Sequence, residues 1–174
     1  MLPIVEKNDK SIFLDAHRLL WSRICLWLRN LDSPITRSDF QDYKENIYIE
    51  IANDMAIYEC EGYKCTPSSC FLCDYGKILA NFANANKSRS HFGLHFFTSC
   101  NFCPTYIMAQ KSSNTMGCLD GLYDTLLKCI DAQEYTDAYY IAVLIRDAHF
   151  CTLPNENNKT DYEEIINYLC SKGV

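Results

Sequence analysis

The chain has 174 residues, of which 48% are hydrophobic and 22% charged, and its formal charge at neutral pH is −6. This length fits one domain of ordinary size, and the composition supplies enough apolar side chains for a buried core, so the chain need not be disordered. The acidic charge argues against sequence-independent nucleic-acid binding, because such binding requires lysine and arginine to neutralise phosphates. Eleven cysteines are many for one domain, yet fewer than a small disulfide scaffold requires.

The start of the chain, residues 1–10, shows no basic stretch followed by an apolar core, so we expect no secretory signal. The most apolar stretch, 19–28, is interrupted by Arg23 and is shorter than the roughly 20 residues of a membrane span. We therefore expect a cytoplasmic protein that does not enter a membrane and whose cysteines are reduced. Clustered thiols in a reducing compartment indicate a metal site or chemistry rather than disulfides.

Helical periodicity dominates the chain and predicts a single, mainly α-helical domain over 1–174 with about six or seven helices. The first helix is expected to run from a cap at Asp9 or Ser11 to about Asn30. Its predicted buried face consists of Ile12, Ala16, Leu19, Leu20, Ile24, Trp27 and Leu28.

The second helix is predicted to begin at Thr36, because Asp39 three residues later completes a capping-box pattern. Its expected apolar side consists of Phe40, Tyr43, Ile47 and Ile51. Residues 47–51 also alternate as a strand would, but the flanking residues keep the longer period, which favours a helix.

A turn-like segment at 60–73 precedes a third predicted helix, and residues 84–103 form an irregular connection that needs a tether in a compact domain. Later helices are expected at 104–111, 119–130, 138–145 and 160–173. We interpret Asp131 and Glu134 as a capping box ahead of the apolar run 138–145, which predicts a central buried helix.

Four cysteines form two CxxC pairs, Cys70 with Cys73 and Cys100 with Cys103, separated by the 26 residues 74–99. Two residues between thiols allow both sulfurs to reach one ion, and two such pairs supply the four ligands of tetrahedral zinc. The gap exceeds the commonest zinc spacing, and a helix over 74–86 would accommodate it. We therefore predict one structural zinc ion within a cysteine-rich subregion, 60–118. The first pair would lie at a helix N-terminus, which favours thiolate.

Other cysteines leave alternatives open at this site. Cys118 is a reserve ligand that could replace one of the four, and Cys60 and Cys65 could form half of a second site. An iron–sulfur cluster would accept the same four thiolates as zinc. The plain alternative is that the paired cysteines are small buried apolar residues, as free cysteines commonly are.

The remaining metal-binding residue types have simpler explanations. His91 and His95 have the i, i+4 spacing of a zinc-protease helix but lack its glutamate, which indicates ordinary loop histidines. Four further cysteines fall within helical patterns and are expected to pack in the core or on helix surfaces, namely Cys25, Cys129, Cys151 and Cys170.

The cysteine pattern resembles that of small, mostly uncharacterised cysteine-cluster proteins of tailed phages and prophages. The likeness covers roughly residues 70–150 and consists of Cys70-x-Leu72-Cys73, Cys100-x2-Cys103-Pro104, then Cys118, Tyr123 and a late alanine-rich apolar helix. The gap between the pairs is longer here, and residues 1–60 have no counterpart. The resemblance implies an intracellular viral protein that bears zinc, and it implies no reaction.

No catalytic motif accompanies the cysteines. A zinc deaminase requires His-x-Glu, which does not occur, and a proline adjacent to its CxxC, whereas Pro67 lies three residues before Cys70. Two complete CxxC pairs indicate a closed site, since a catalytic zinc keeps one position open. Four histidines and eleven thiols still allow a cysteine–histidine pair, so an enzyme with an open zinc site or a reactive cysteine stays an alternative.

Binding is the function that this reasoning leaves. The chain holds 12 tyrosines, nine phenylalanines and two tryptophans, and aromatic side chains often anchor interfaces. Residues 91–97 are a candidate contact surface, although their phenylalanines could instead pack on the helices. We therefore expect a viral-type accessory protein that binds a host or viral protein, inhibiting or redirecting a host protein. A nucleic-acid-binding zinc module would instead require Lys87, Arg89 and Lys111 to converge on one face.

Overall fold

The computed structural model describes residues 7–57, 66–85 and 122–147. Within these ranges the chain forms five helices and no strand: α1 (Lys7–Arg29), α2 (Arg37–Asp54), α3 (Phe71–Ala85), α4 (Leu122–Asp131) and α5 (Tyr135–Arg146). The mainly α-helical prediction is confirmed for this part of the chain, whereas the helices predicted at 104–111 and 160–173 lie outside it. None of the described helices is long and apolar enough to cross a membrane.

Helix α1 packs against α2, α3 and α5 and contributes a wide buried face. It begins at Lys7, so the predicted caps Asp9 and Ser11 were wrong, because polar residues also occupy the solvent face of a helix and Ser11 is exposed there. The predicted face was partly wrong as well. Leu19 is 41% exposed, whereas further α1 side chains beyond the predicted set are buried, namely Phe13, His17, Trp21 and Cys25.

The start of α2 is the predicted capping box. The Thr36 backbone N–H donates to Asp39 Oδ2 at 2.8 Å, and the Asp39 N–H donates to Thr36 Oγ1 at 3.2 Å. The helix continues through residues 47–51, which confirms the helical interpretation over the strand. An ion pair of 2.8 Å between Arg23 and Glu50 joins α1 to α2.

A tight turn joins α4 to α5 and contradicts the second predicted capping box. Asp131 ends α4, and Glu134 caps α5 without a side-chain hydrogen bond. Gln133 has a φ of 60°, in the left-handed region, and its N–H donates to Ile130 O at 3.0 Å. Asp131 instead pairs with Arg37 of α2 at 2.6 Å, a partner that local sequence does not reveal.

Only one face of α5 is buried, although the sequence predicts a centrally buried helix. Ala142 and Ile145 are buried, whereas Tyr140 is 61% and Leu144 48% exposed. His17 Nε2 of α1 lies 2.7 Å from the carbonyl oxygen of Ile145 and donates to it, so this end of α5 is fixed to α1. Tyr140 and Leu144 therefore form an exposed apolar stripe on the outer face of α5.

Candidate metal centre

Cys70 and Cys73 lie at the N-terminus of α3, on a short turn formed by residues 66–69. The Ser69 N–H donates to Thr66 O at 2.8 Å, and the Cys70 carbonyl accepts the first bond of the helix, from the Asp74 N–H at 3.1 Å. Cys70 is 9% exposed, and Cys73 has intermediate exposure.

The side chain of Lys44, from α2, contacts this turn. Its side chain is 1% exposed, and its Nζ donates to the carbonyl oxygens of Pro67 and Ser68, each at 3.0 Å. These two carbonyls belong to the residues that lead directly into the cysteine pair. A single buried ammonium therefore fixes the backbone just ahead of Cys70.

The electrostatic surroundings of Lys44 involve both cysteines. Burial lowers the pKa of the Lys44 amine, and interaction with acidic groups, of which Cys70 contributes most and Cys73 also contributes, opposes this effect. The Nζ atom also lies 5.7 Å from the centre of the Tyr123 ring, within cation–π range. The carbonyls, the ring and the thiols together offset part of the cost of burying this charge.

A second lysine holds the turn from the α3 side. Lys77 Nζ lies 2.9 Å from Asp74 Oδ1 and donates to Thr66 Oγ1 at 3.1 Å and, more weakly, to Ser69 Oγ at 3.4 Å. Asp74 is 2% exposed, and its Oδ2 accepts a hydrogen bond from the Tyr48 hydroxyl. We call the four polar side chains around the turn the turn network; they are Lys44, Tyr48, Asp74 and Lys77.

Apolar packing fixes the first turn of α3 against the rest of the core. The rings of Tyr48 and Phe71 stack with their centres 4.0 Å apart and an interplanar angle of 9°. Leu72, between the two cysteines, is fully buried and packs with Cys70 beside Leu14 and Cys73. The cysteine pair is therefore attached to α1 and α2 through both apolar and polar contacts.

The described part of the chain supplies two of the predicted zinc ligands. Two thiols at CxxC spacing are half of a tetrahedral site, and within this part no three His, Cys, Asp or Glu residues come together as metal ligands. The rest of the predicted set, Cys100 and Cys103 with the reserve ligand Cys118, lies outside the described residues. The same holds for Cys60, Cys65, His91, His95 and the contact segment 91–97.

Of the four cysteines predicted to pack, the two that the structure describes are buried as expected. Cys25 is 4% and Cys129 9% exposed, and no disulfide joins the four described cysteines. Burial raises the pKa of both thiols, which disfavours the thiolate form. Cys151 and Cys170 lie outside the described residues.

Sequence reasoning missed the turn network. Lys44 falls in register with the apolar stripe of α2, four residues after Phe40 and three before Ile47. A lysine in a buried helical register requires a buried partner, and this signal was available from the sequence. Asp74 and Lys77 also have the i, i+3 spacing of a helical ion pair.

Comparison with protein-family models finds no match, and comparisons with curated proteins and with solved structures find no significant similarity. Function is therefore inferred from the chemistry of the site residues.

Proposed function

We propose that one structural zinc ion stabilises this protein, held by the thiolates of Cys70, Cys73, Cys100 and Cys103. The observation that supports the proposal best is the position of the first pair. Cys70 and Cys73 share the first turn of α3, beside a turn that two lysines hold in place. This arrangement presents two thiols from a rigid element, as a structural zinc site requires.

The charge around the pair also suits a four-thiolate site. Zinc with four thiolates carries a net charge of about −2, which is costly to bury without a compensating cation. Lys44 is a buried cation whose Nζ donates to the carbonyls of Pro67 and Ser68, just ahead of Cys70, and it would supply part of that compensation.

Native mass spectrometry of the reduced full chain, purified with zinc, tests this site. We expect one zinc ion per chain, lost in the variants Cys70→Ser and Cys73→Ser together with part of the thermal stability. Cys129→Ser is the matched control, because Cys129 is a buried cysteine on α4, and this variant should retain the ion. A metal-free wild-type chain that is stable, or zinc retained in both Cys70→Ser and Cys73→Ser, would contradict the proposal.

Variants of the second pair decide the complete ligand set. Loss of zinc in Cys100→Ser and Cys103→Ser with retention in Cys118→Ser supports the proposed four. Zinc retained in either Cys100→Ser or Cys103→Ser, together with zinc lost in Cys118→Ser, would assign the fourth position to the reserve ligand Cys118.

We propose that the protein acts by binding a macromolecular partner, which is a host or viral protein. It would be an intracellular viral accessory protein that inhibits or redirects a host protein. The outer face of α5 supports binding, because Tyr140 and Leu144 are one helical turn apart and both exposed. A tyrosine beside an aliphatic residue is a common anchor at protein interfaces.

Affinity capture from a bacterial lysate tests binding. The wild-type chain should enrich a defined protein, and the double variant Tyr140→Ser, Leu144→Ser should lose it while keeping zinc and helical content. The matched control is Leu26→Ser, since Leu26 is 63% exposed on a different helix, α1. Equal capture by all three chains, or capture of no protein, would contradict a binding role for α5.

A reactive cysteine is the second candidate function, and the exposure of Cys73 favours it. This thiol is more exposed than Cys70 and lies in the first turn of a helix, near a buried ammonium. An enzyme of this kind would show fast alkylation of Cys73 in the protein as purified. Alkylation of Cys73 only after zinc removal would instead support the structural site.

A further inference from the structure

We propose that Lys44 is a positioning residue of the zinc site, which holds the turn at 66–69 and brings a buried cation to the backbone that leads into the Cys70–Cys73 pair. The inference rests on the proposed zinc site, and it assigns part of the metal affinity to a residue that is not a ligand. It implies that the first half of the site is already arranged in the folded protein before the metal binds.

The hydrogen bonds of Lys44 to the turn support this role. The two hydrogen bonds from Lys44 Nζ end on consecutive carbonyls, those of Pro67 and Ser68, three and two residues before Cys70. Lys44 itself comes from the middle of α2, a helix of 18 residues packed on α1. Its removal would leave two carbonyls without their donor and would free the backbone that sets the position of the first sulfur.

The two lysines of the turn network differ in how their charges are paired and how far they are exposed. The charge of Lys77 is paired directly with the Asp74 carboxylate, and its side chain is 42% exposed, so water also screens it. Lys44 is 1% exposed, and no carboxylate lies within ion-pair distance of its Nζ among the described residues. Its charge therefore lies against the carbonyls that lead into Cys70 rather than in an ion pair, which makes it the cation best placed to stabilise bound thiolates.

The experiment measures zinc affinity by chelator competition in the full chain, with Lys44→Met as the main variant and Lys128→Met as the matched control. Lys44→Met should lower the affinity about 10- to 100-fold, which is typical for loss of a partner that orients metal ligands. Lys128→Met removes the same charge from α4, where the Lys128 side chain is 69% exposed and pairs with Asp124, so it should change the affinity no more than about twofold.

Two further variants separate positioning from general stability. Lys44→Arg keeps the charge and several donors and should retain more affinity than Lys44→Gln, which keeps a donor without the charge. This comparison decides the matter if Lys44→Met fails to fold. The absorption of bound Co²⁺ is read in parallel, since a displaced thiolate changes its charge-transfer and ligand-field bands, whereas a change in global stability alone does not.

The possible outcomes are distinct. A wild-type chain that binds no zinc overturns the proposed function and this inference with it. Wild-type affinity in Lys44→Met, or in Lys44→Gln, with an unchanged Co²⁺ spectrum overturns the inference and leaves the zinc site standing. Equal losses in Lys44→Met and Lys128→Met, with unaltered spectra, would show a general effect of charge removal and also overturn it.

Discussion

Lys44 and Asp74 are charged side chains that the fold buries almost completely, at 1% and 2% exposure. A buried charge is tolerated only when hydrogen bonds and opposite charges replace its lost hydration. Lys44 has two carbonyl acceptors, and Asp74 accepts from Tyr48 and Lys77. Removal of one partner therefore costs more than the mean value of a hydrogen bond, because the remaining charged group stays buried without it.

The substitution Tyr48→Phe tests the cost of removing one hydrogen-bond partner from a buried charged group. The change keeps the ring that stacks on Phe71 but removes the hydroxyl that donates to Asp74. We expect the free energy of unfolding to fall by about 1.5–3 kcal/mol, the range for a hydrogen bond to a charged group. Urea denaturation measures it.

Tyr43→Phe is the control for that experiment. Tyr43 lies on the same helix, its ring stacks on Trp27, and it is only partly buried. Its substitution should change the stability by less than about 0.5 kcal/mol. Equal effects of the two substitutions would show that the Tyr48 hydroxyl does not support the buried carboxylate.

The described thiols should differ in reactivity according to their burial. Cys73 is more exposed than Cys25, and burial raises the pKa of the Cys25 thiol, so Cys25 holds less thiolate at neutral pH. In the zinc-free folded protein we therefore expect iodoacetamide to modify Cys73 well before Cys25, as read by peptide mass spectrometry. Added zinc should slow the modification of Cys73 and leave that of Cys25 unchanged. Faster labelling of Cys25 would contradict the packing of α1.

At the scale of elements, helix starts were predictable where the capping partners are neighbours in sequence. The Thr36–Asp39 box depends on residues three apart, and the structure confirms it. The box predicted at Asp131 and Glu134 was wrong, because Asp131 pairs with Arg37, 94 residues away in sequence. The buried register of Lys44 was visible in the sequence, but its acceptors were not predictable, since they lie 23 and 24 residues further along the chain.

Thr36→Ala should destabilise the protein by about 1 kcal/mol, within the 0.5–2 kcal/mol range of lost N-caps. The substitution removes the oxygen that accepts from the Asp39 N–H at 3.2 Å. Thermal unfolding followed by circular dichroism at neutral pH measures it. Thr36→Ser keeps the hydroxyl and should restore most of the loss, so an equal loss in both variants would contradict the role of the cap.

The same box predicts a pH dependence through Asp39. Hydrogen bonds from the Thr36 backbone N–H and hydroxyl lower the pKa of the Asp39 carboxyl in the folded state. Its stabilisation is therefore present above the unfolded pKa and is lost as the pH falls through the folded pKa. The difference in stability between wild type and Asp39→Asn should shrink on acidification. The matched control is Asp42→Asn, an exposed acid on the same helix, and a difference that is independent of pH would contradict the assignment.

At the scale of the whole molecule, helix α1 connects the described parts of the fold. It packs against α2, α3 and α5, and its side chains enter a core shared by all five described helices. The sequence predicted this helix and most of its apolar residues, but not the width of its buried face, because that width depends on how many neighbours surround it. The candidate metal centre lies on α3 and reaches the same core through Phe71 and Tyr75.

Ile24→Ala tests whether this core unfolds as one unit. Ile24 is fully buried on α1, so the truncation should cost about 2–5 kcal/mol. Because α1 contacts α2, α3 and α5, hydrogen exchange should show a similar loss of protection for the amides of all three helices.

The control for that experiment is Leu26→Ala on the same helix. Leu26 is 63% exposed, so this variant should change the stability by less than about 0.5 kcal/mol and leave the exchange pattern intact. If Ile24→Ala reduced protection in α5 alone while α3 stayed protected, α3 and its cysteine pair would form a separate cooperative unit. Zinc would then stabilise that unit without stabilising the rest of the fold, whereas a shared core couples metal binding to the stability of every described helix.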